Sequence, residues 1–306
     1  MSLVIVGTVA FDSIYTPRGK AERVVGGAAT YASWAASYFT KGIQLVSIVG
    51  GDFPDTEIKL LESHGVDTEG LDVVEDKKSF FWAGKYLDNM NSRETLTTEL
   101  NVLEDFDPKL PNAYKDAEYV LLGNLTPEIQ LSVLDQMTTK PKLVAMDTMN
   151  FWMDVAKPAL MKVIERVDVL TINDEEARQL SGVYSLAKAA KIILAMGPKY
   201  LIIKKGEHGA LLFRDEQIFF APALPLTKVN DPTGAGDTFA GGFMGYMAMT
   251  GETDMENMKR AVIYGSVMAS FCVEEFSIER LKNLDESQIS KRLKRFVDIV
   301  HFKPVQ

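Results

Sequence analysis

Short apolar runs alternate along this chain with segments of helical spacing, and this alternation limits the fold more than any other feature. The runs are LVIVG, IQLVSIVG, AEYVLLG, KLVAMD, DVLTIN and KYLIIKKG, at residues 3–7, 43–50, 117–123, 142–147, 168–173 and 199–206. Nearly continuous apolar strands are typical of parallel sheets, because helices bury both faces of such sheets. The pattern therefore predicts an α/β fold with a mostly parallel sheet.

Two regions depart from this alternation. From Gly234 onward the spacing is almost entirely helical, which predicts a set of packed C-terminal helices. Residues 79–100 instead alternate aromatic, threonine and polar side chains around the turn sequence DNMNS, as β-hairpins do. A hairpin at this place can project from the main sheet as a lid, or it can be an ordinary edge hairpin. Because the sequence shows no repeat and no Pro/Gly-rich linker, we expect a single domain over residues 1–306.

Charge and cysteine content argue against several classes of protein. The chain has a formal net charge of -9 and no basic run, so we expect neither a nucleic-acid nor a membrane-surface partner. No apolar run reaches the roughly 18 residues that cross a membrane, and the N-terminal sequence lacks the pattern of a secretion signal. The single cysteine, Cys272, can form no intrachain disulfide. These features predict a cytoplasmic location.

The segment DPTGAGDTFAGG at residues 231–242 is the strongest candidate for a chemical site. If a helix begins near Asp237, the free N–H groups of Gly234, Ala235 and Gly236 point together at the positive end of its dipole and can bind an anion. Asp237 then lies beside that anion, where its carboxylate can accept a hydroxyl proton during phosphoryl transfer. The alternative is an ordinary helix start with Asp237 as a capping acid. The segment is neither a Walker loop nor a dinucleotide-binding fingerprint.

Three further segments place polar residues or glycines at strand ends, where ligands bind in open parallel sheets. Asp12 ends the first apolar strand and can hold two sugar hydroxyls or simply close a turn. Asn173 and Glu176 follow a later strand and share one helix face, so they can organise Mg²⁺ and phosphate or form a capping box that needs no ligand. In KKGEHG, Gly206 and Gly209 bracket a tight connection, which an ordinary hairpin explains as well.

Taken in chain order, these motifs resemble those of the PfkB carbohydrate-kinase family, which has the ribokinase-like fold and includes adenosine kinase. The resemblance spans essentially the whole chain, and DPTGAGDTFAGGF is its most specific motif. It implies a three-layer α/β/α sandwich with a small β lid formed by about residues 13–25 and 79–100. It also implies an ATP-dependent kinase that phosphorylates a hydroxyl, expected to be a primary one, of a sugar or nucleoside.

The resemblance assigns roles by position. It implies that Asp237 is the catalytic base and that the anion hole consists of Gly234, Ala235 and Gly236. The positions that match substrate contacts are Asp12, Gly26, Gly27, Tyr31 and Asn124. The positions that match the nucleotide site are Asn173, Lys205, Gly206 and Gly209, and Glu176 would hold Mg²⁺ through water.

The resemblance also implies ligands and partners: ATP, Mg²⁺, a small-molecule sugar or nucleoside, and a homodimer formed through the lid. K⁺ beside the anion-hole loop is a further candidate. Two positions depart from the family pattern, since Tyr31 stands where an asparagine is usual and Asn230 where an apolar residue is usual. The lid is rich in aromatic residues, which can stack on a ligand or form the core of the lid itself. These aromatic residues are Phe80, Phe81, Trp82 and Tyr86.

Two other functions stay open on the same fold. A sugar-phosphate kinase would need additional basic groups around the acceptor. The candidates are Arg18, Lys20, Arg23, Lys85 and Arg93. A ligand sensor without activity is expected to lose the base or the anion hole, and this sequence retains both.

Overall fold

The structure is a computed structural model that describes residues 1–301, so the last five residues of the expected domain lie outside it. The described residues form thirteen β-strands. These are β1 (Leu3–Val6), β2 (Ala10–Thr16), β3 (Gly19–Gly26), β4 (Ile43–Gly50), β5 (Val66–Val74), β6 (Phe81–Tyr86), β7 (Arg93–Glu99), β8 (Tyr119–Leu122), β9 (Leu143–Asp147), β10 (Val169–Asn173), β11 (Tyr200–Lys204), β12 (Ala210–Arg214) and β13 (Gln217–Ala221).

The same residues contain eleven α-helices and three short 3₁₀ turns. The helices are α1 (Ala28–Ala36), α2 (Asp55–Ser63), α3 (Pro127–Gln136), α4 (Asn150–Val155), α5 (Lys157–Ile164), α6 (Asp174–Ser181), α7 (Leu186–Leu194), α8 (Ala235–Thr250), α9 (Met255–Cys272), α10 (Glu279–Lys282) and α11 (Glu286–Val300). None of the helices within residues 1–301 is long and apolar enough to cross a membrane.

Nine strands form the central sheet, in the order β13-β12-β11-β10-β9-β8-β1-β4-β5. The strands from β11 to β5 run parallel, whereas β12 and β13 add an antiparallel edge. Successive side chains of a strand point to opposite faces of its sheet. In β1, accordingly, Leu3 and Ile5 lie in one apolar core, and Val4 and Val6 lie in the other. Helices α1, α8, α9 and α11 cover the first core, and α3, α5, α6 and α7 cover the second. The predicted three-layer α/β/α fold is confirmed.

Helix α8 is buried on nearly every side, and its position depends on close contact with α1. A Cβ atom on Gly241 would lie 2.2 Å from the carbonyl oxygen of Ala32, and one on Gly245 would lie 2.7 Å from the Cα of Ala36. The small residues on both helices therefore let the two backbones touch. This contact fixes where the N-terminus of α8 meets the carboxyl edge of the sheet.

A second sheet, of four strands, has the order β3-β2-β6-β7. Strands β2 and β6 run parallel to each other, and each has an antiparallel partner. This sheet takes up residues 10–26 and 81–99, close to the expected 13–25 and 79–100. Its aromatic residues differ in their surroundings. Phe81 packs against the main core, Tyr86 is buried, and Trp82 is partly exposed. The action of this sheet as a lid stays a prediction.

Candidate active site

The predicted anion hole lies at the start of α8. Gly234 precedes the helix with φ of 72°, a left-handed conformation that turns the chain into its first residue, Ala235. The Ala235 N–H donates to the carbonyl of Pro232 at 3.2 Å, whereas within residues 1–301 the N–H groups of Gly234 and Gly236 have no protein acceptor. Two of the three predicted donors are therefore free at the positive end of α8. Asp237 lies beside them in the first turn, half-buried.

The loop before this helix is held by buried hydrogen bonds. Asp231 accepts from the backbone N–H of Thr233 at 2.8 Å and from that of Ser277 at 3.1 Å. Asn230, the departure from the family pattern, donates from Nδ2 to the carbonyl of Glu274 at 2.6 Å. An apolar residue at position 230 could not make this bond, so the asparagine ties the loop to the segment after α9.

Tyr31 lies behind the anion-hole loop, with its ring against Gly234. The residue is 1% exposed, and its hydroxyl is buried without a hydrogen-bond partner among the described residues. We therefore assign the ring to packing of the loop, in place of the expected hydroxyl contact with a substrate.

Asp12 is the buried carboxylate of the expected acceptor pocket and is 5% exposed. A Cβ atom on Gly26 would lie 2.0 Å from Asp12 Oδ2, so a larger residue there would push this carboxylate out of its position. Burial, together with the charges of Asp231 and Asp237, raises the pKa of Asp12 to about 7, although the N–H of Gly27 acts to lower it. Few hydrogen-bond donors among the described residues reach the Asp12 carboxylate, and hydroxyl groups of a ligand can supply them.

The lid sheet supplies an aromatic neighbour to Asp12. Trp82 stands in register with Asp12 on the adjacent parallel strand, so the two side chains share one face. The indole lies over Gly84, where a Cβ would come within 2.1 Å of it, and its Nε1 donates to Thr95 Oγ1 at 3.3 Å. The guanidinium of Arg93 stands 5.8 Å from the Trp82 ring. The sequence identified Trp82 only as one of four lid aromatics, because the pairing of β2 with β6 joins distant segments.

At the start of α6, Asn173 and Glu176 form the capping box that the sequence left as one alternative. The Asn173 N–H donates to Glu176 Oε2 at 2.7 Å, and the Glu176 N–H donates to Asn173 Oδ1 at 2.8 Å. Burial and then the carboxylate of Asp147 raise the pKa of Glu176 to about 7, while the ammonium of Lys204 lowers it. The capping box does not exclude a metal. Within residues 1–301, Oε2 of Glu176 accepts a hydrogen bond from the protein, whereas Oε1 accepts none and can face a ligand.

The lysine whose side chain reaches this site is Lys204, although the sequence singled out Lys205. Lys204 ends β11, and its Nζ contacts Asp147 Oδ2 at 2.5 Å. Its ammonium also stands 3.1 Å from the place that a Cβ on Gly236 would take. Lys205 uses its backbone N–H to bond the carbonyl of Gly209 at 2.8 Å. Adjacent residues of a strand point to opposite sides of the sheet. The sequence KK therefore indicated that one of the two lysines would point toward the site, but it could not tell which of them.

The turn that follows β11 meets the tip of the lid hairpin. Gly206 and Gly209 both have positive φ, 53° and 84°, and they bracket a 3₁₀ turn between antiparallel strands. Asn91, in the lid hairpin, donates from Nδ2 to Glu207 Oε2 at 2.6 Å. The local backbone is therefore the ordinary hairpin that the sequence left as an alternative. The bond between Asn91 and Glu207 joins the lid hairpin to the turn where the family resemblance implies a nucleotide site.

Asn124 follows β8 at the carboxyl edge, but protein groups occupy its side chain. Its Oδ1 accepts from the indole N–H of Trp152 at 2.9 Å, and its Nδ2 lies 3.1 Å from the sulfur of Met149. A contact between Asn124 and a substrate stays a prediction.

The electrostatics of the site favour a proton acceptor at neutral pH. Burial and then the carboxylate of Asp147 together raise the pKa of Asp237 to about 6. The charges of Lys204 and Arg93 lower it. A carboxylate with such a pKa is ionised at pH 7 and is more basic than an exposed aspartate, which suits a general base.

Comparisons with known proteins agree with this geometry. The family model described as pfkB family carbohydrate kinase matches residues 2–281. A cytidine kinase of Thermococcus kodakarensis is 29% identical over 250 residues, which cover 80% of this chain and 87% of that protein.

Two solved structures share the fold over nearly their whole length. The Burkholderia thailandensis nucleoside kinase in complex with inosine matches with a TM-score of 0.75 and 19% identity, over 99% of this chain and 100% of that one. An E. coli structure named as a ribokinase II in complex with ATP and Mg²⁺ matches with a TM-score of 0.79 and 18% identity, over 96% and 99%. At such identities the likeness shows the fold and carries no substrate with it.

Proposed function

Since the chain belongs to the PfkB family of carbohydrate kinases, we propose that it transfers the γ-phosphoryl group of ATP to a hydroxyl of a nucleoside, with Asp237 as the general base. Membership in the family makes the chain a sugar or nucleoside kinase. The acceptor and the roles of individual residues are our proposal.

One observation carries the proposal: the charge of Asp237, in the first turn of α8, acts on the buried carboxylate of Asp12 and raises its pKa. We infer from this that the two carboxylates lie near one another. The free N–H groups of Gly234 and Gly236 open onto the same helix end. An acceptor bound through Asp12 would therefore lie between a base and an anion site.

The reaction follows from this arrangement. A hydroxyl of the acceptor loses its proton to the Asp237 carboxylate while its oxygen attacks the γ-phosphorus of ATP. The bond from that phosphorus to the β,γ-bridging oxygen breaks, and ADP leaves. The N–H groups of Gly234 and Gly236 stabilise the negative charge on the transferring group. Under the lid the site would exclude water and limit hydrolysis of ATP.

The carboxylate oxygens near the expected position of the ATP phosphates fit Mg²⁺. Glu176 offers a buried carboxylate oxygen, and Asp147 offers a second carboxylate nearby. Oxygen ligands are what Mg²⁺ prefers, and it usually keeps several waters. Within residues 1–301 no three His, Cys, Asp or Glu side chains form a cluster for direct coordination. Contact between Glu176 and Mg²⁺ through water stays a prediction. When bound, Mg²⁺ would neutralise phosphate charge. K⁺ stays a prediction of the resemblance.

The lid supports a nucleoside as the acceptor. Trp82 presents an indole beside Asp12, and Gly84 and Thr95 fix its orientation. A carboxylate that takes ribose hydroxyls next to an aromatic face that takes a base is the pair of contacts that a nucleoside needs. The cytidine kinase among its relatives points the same way.

The alternative of a sugar-phosphate acceptor needs cationic groups, and two of the five candidates form ion pairs away from the site. Lys20 pairs with Glu22, and Arg23 pairs with Asp52. Of the five candidate side chains, Arg93 is the one whose charge acts on Asp12. The Arg93 guanidinium also acts on Asp237 at the phosphoryl site. One shared cation gives little compensation for the charge of a second phosphate, which favours an uncharged acceptor.

An acceptor screen tests the proposal. ADP release would be measured with ATP and Mg²⁺ for cytidine, uridine, adenosine, inosine, ribose and fructose 6-phosphate, with Asp237→Asn as the inactive control. We expect the highest kcat/KM for a nucleoside. A higher kcat/KM for ribose or fructose 6-phosphate than for every nucleoside would reject a nucleoside acceptor.

A further inference from the structure

Lys204 is a buried cation that the general base and the anion hole do not account for. Its side chain is 18% exposed, and within residues 1–301 its ammonium has one hydrogen-bond acceptor, Asp147 Oδ2 at 2.5 Å. An ammonium has three N–H donors. Two donors of a mostly buried lysine are thus available to something other than the protein.

The surroundings of this ammonium indicate an anion. It stands against Gly236 in the first turn of α8, 3.1 Å from the position of a Cβ atom there. The positive end of a helix disfavours a lysine and favours a negative ligand. The missing side chain of Gly236 leaves the space between the ammonium and the helix end open.

The carboxylates around Lys204 strengthen the argument. The charges of Asp147, Glu176 and Asp237 all act to raise its pKa, against the effect of burial. Three carboxylates would repel a polyphosphate, and Lys204 is the cation that bonds one of them directly, while the charge of Arg93 also acts on Glu176 and Asp237. A phosphate oxygen therefore has a reason to approach this side chain.

We propose that Lys204 binds a phosphate oxygen of ATP, leaving or sharing its contact with Asp147 when the nucleotide enters. This inference rests on the proposed function, which places the phosphates of ATP at the start of α8. It gives Gly236 a second role, because a larger residue there would stand between the ammonium and the phosphate. Asp147 holds the ammonium in place while no nucleotide is bound.

The test measures binding of the non-hydrolysable analogue AMPPNP by titration calorimetry, with Mg²⁺ and again with EDTA. We expect Lys204→Met to weaken AMPPNP binding about 10- to 100-fold in both conditions, the usual weight of a charge-assisted hydrogen bond. Lys204→Arg should recover part of the affinity. A loss seen only with Mg²⁺ would mean that Lys204 acts through the metal site and would overturn the direct contact.

Matched variants separate phosphate binding from a structural ion pair. Lys199 directly precedes β11, at the end opposite to Lys204, and pairs with Asp168 at 2.8 Å, so Lys199→Met removes a nearby ion pair without touching the site. It should bind AMPPNP as the wild type does. A loss in Lys205→Met but not in Lys204→Met would assign the ammonium to the neighbouring lysine and reject the inference.

A double variant controls for folding. Lys204→Met leaves Asp147 buried without its partner, and this alone can destabilise the chain. Lys204→Met with Asp147→Asn removes both charges, and its AMPPNP affinity should be as low as that of Lys204→Met. Recovery of wild-type affinity in the double variant would show that Lys204 only neutralises Asp147. In EDTA, where Asp147 has no Mg²⁺ to hold, Asp147→Asn alone should bind AMPPNP at least as tightly as the wild type, and a loss there equal to that of Lys204→Met would contradict the proposal.

The outcome for Lys204 is separable from the outcome for the acceptor. AMPPNP binding needs no acceptor, so a dependence on Lys204 in a protein that phosphorylates no nucleoside would sustain this inference and reject the nucleoside. Phosphorylation of a nucleoside with unchanged AMPPNP affinity in Lys204→Met would do the reverse.

Discussion

The Tyr31 ring lies against Gly234 so closely that a Cβ atom on the glycine would stand 2.4 Å from three of the ring carbons. The same glycine has φ of 72°, which residues with a side chain resist. The buried ring therefore forms the back wall of the loop that ends in the anion hole, and the space between the two residues admits no further atom.

Gly234→Ala should displace this loop, because the new methyl group meets the ring and the backbone cannot keep its left-handed conformation without strain. We expect a fall in Tm and a decrease in kcat of at least roughly tenfold. Kinetics and thermal unfolding would measure both. Tyr31→Phe is the matched control: it keeps the ring and removes a hydroxyl without a partner, so stability and acceptor KM should be unchanged or slightly improved. Wild-type kcat in Gly234→Ala would contradict this account of the loop.

Asp237→Asn should lower kcat by roughly 10²- to 10⁴-fold, the usual contribution of a general base. The amide fills the same volume but cannot take the proton of the acceptor. Affinity for AMPPNP should stay near that of the wild type, because the N–H groups of Gly234 and Gly236 are untouched. Single-turnover kinetics and calorimetry would check the two parts, and near-normal kcat on the best acceptor would remove Asp237 from the mechanism.

The pH dependence of kcat/KM should show an acid limb with two groups. The pKa of Asp12 is raised to about 7 and that of Asp237 to about 6. Both act as carboxylates, so kcat/KM should begin to fall as the pH drops below about 7 and fall more steeply below about 6. The plot of log kcat/KM against pH would give these values, and a flat profile down to pH 5 would show that neither carboxylate is needed in its ionised form.

Asp12→Asn should stabilise the empty protein at high pH while it weakens acceptor binding. Because burial raises the pKa of Asp12 from 3.8 to about 7, the folded state holds a proton that the unfolded state releases between these values. Its contribution to stability is present at low pH and is lost as the pH rises through about 7. At pH 8 the variant should therefore exceed the wild type by about 1–3 kcal/mol in the free energy of unfolding, and by much less at pH 4. Denaturant titrations at both pH values provide the test, and a less stable variant at pH 8 would contradict it.

Asn91→Ala should loosen the lid, because it removes the bond from Asn91 Nδ2 to Glu207 Oε2 of 2.6 Å. We expect the acceptor KM to rise roughly two- to tenfold, since the bond is exposed and worth about one to a few kcal/mol at most. Hydrolysis of ATP without an acceptor should also increase. Glu207→Ala should give the same changes, and the double variant should add nothing, as for two residues that act through one contact. Additive effects would show that the contact does not hold the lid.

The sequence by itself determined the layers of the fold and the identity of its most specific motif. Short continuous apolar runs and helical segments of period 3.6 are local patterns, and they placed the parallel sheet and the C-terminal helices. DPTGAGDTF likewise marked Asp237 and the glycines before it, because a helix start is built from adjacent residues.

The tertiary structure alone decided which side chains share the site. It directed Lys204 rather than Lys205 toward Asp147, put Trp82 beside Asp12, and buried Tyr31 behind the anion-hole loop. Each of these depends on the register of strands, or the packing of helices, that are far apart in the chain. Local periodicity decides whether a segment forms a helix or a strand. Which side chains of two distant segments come into contact is decided only when the sheet packs and both of its faces are buried.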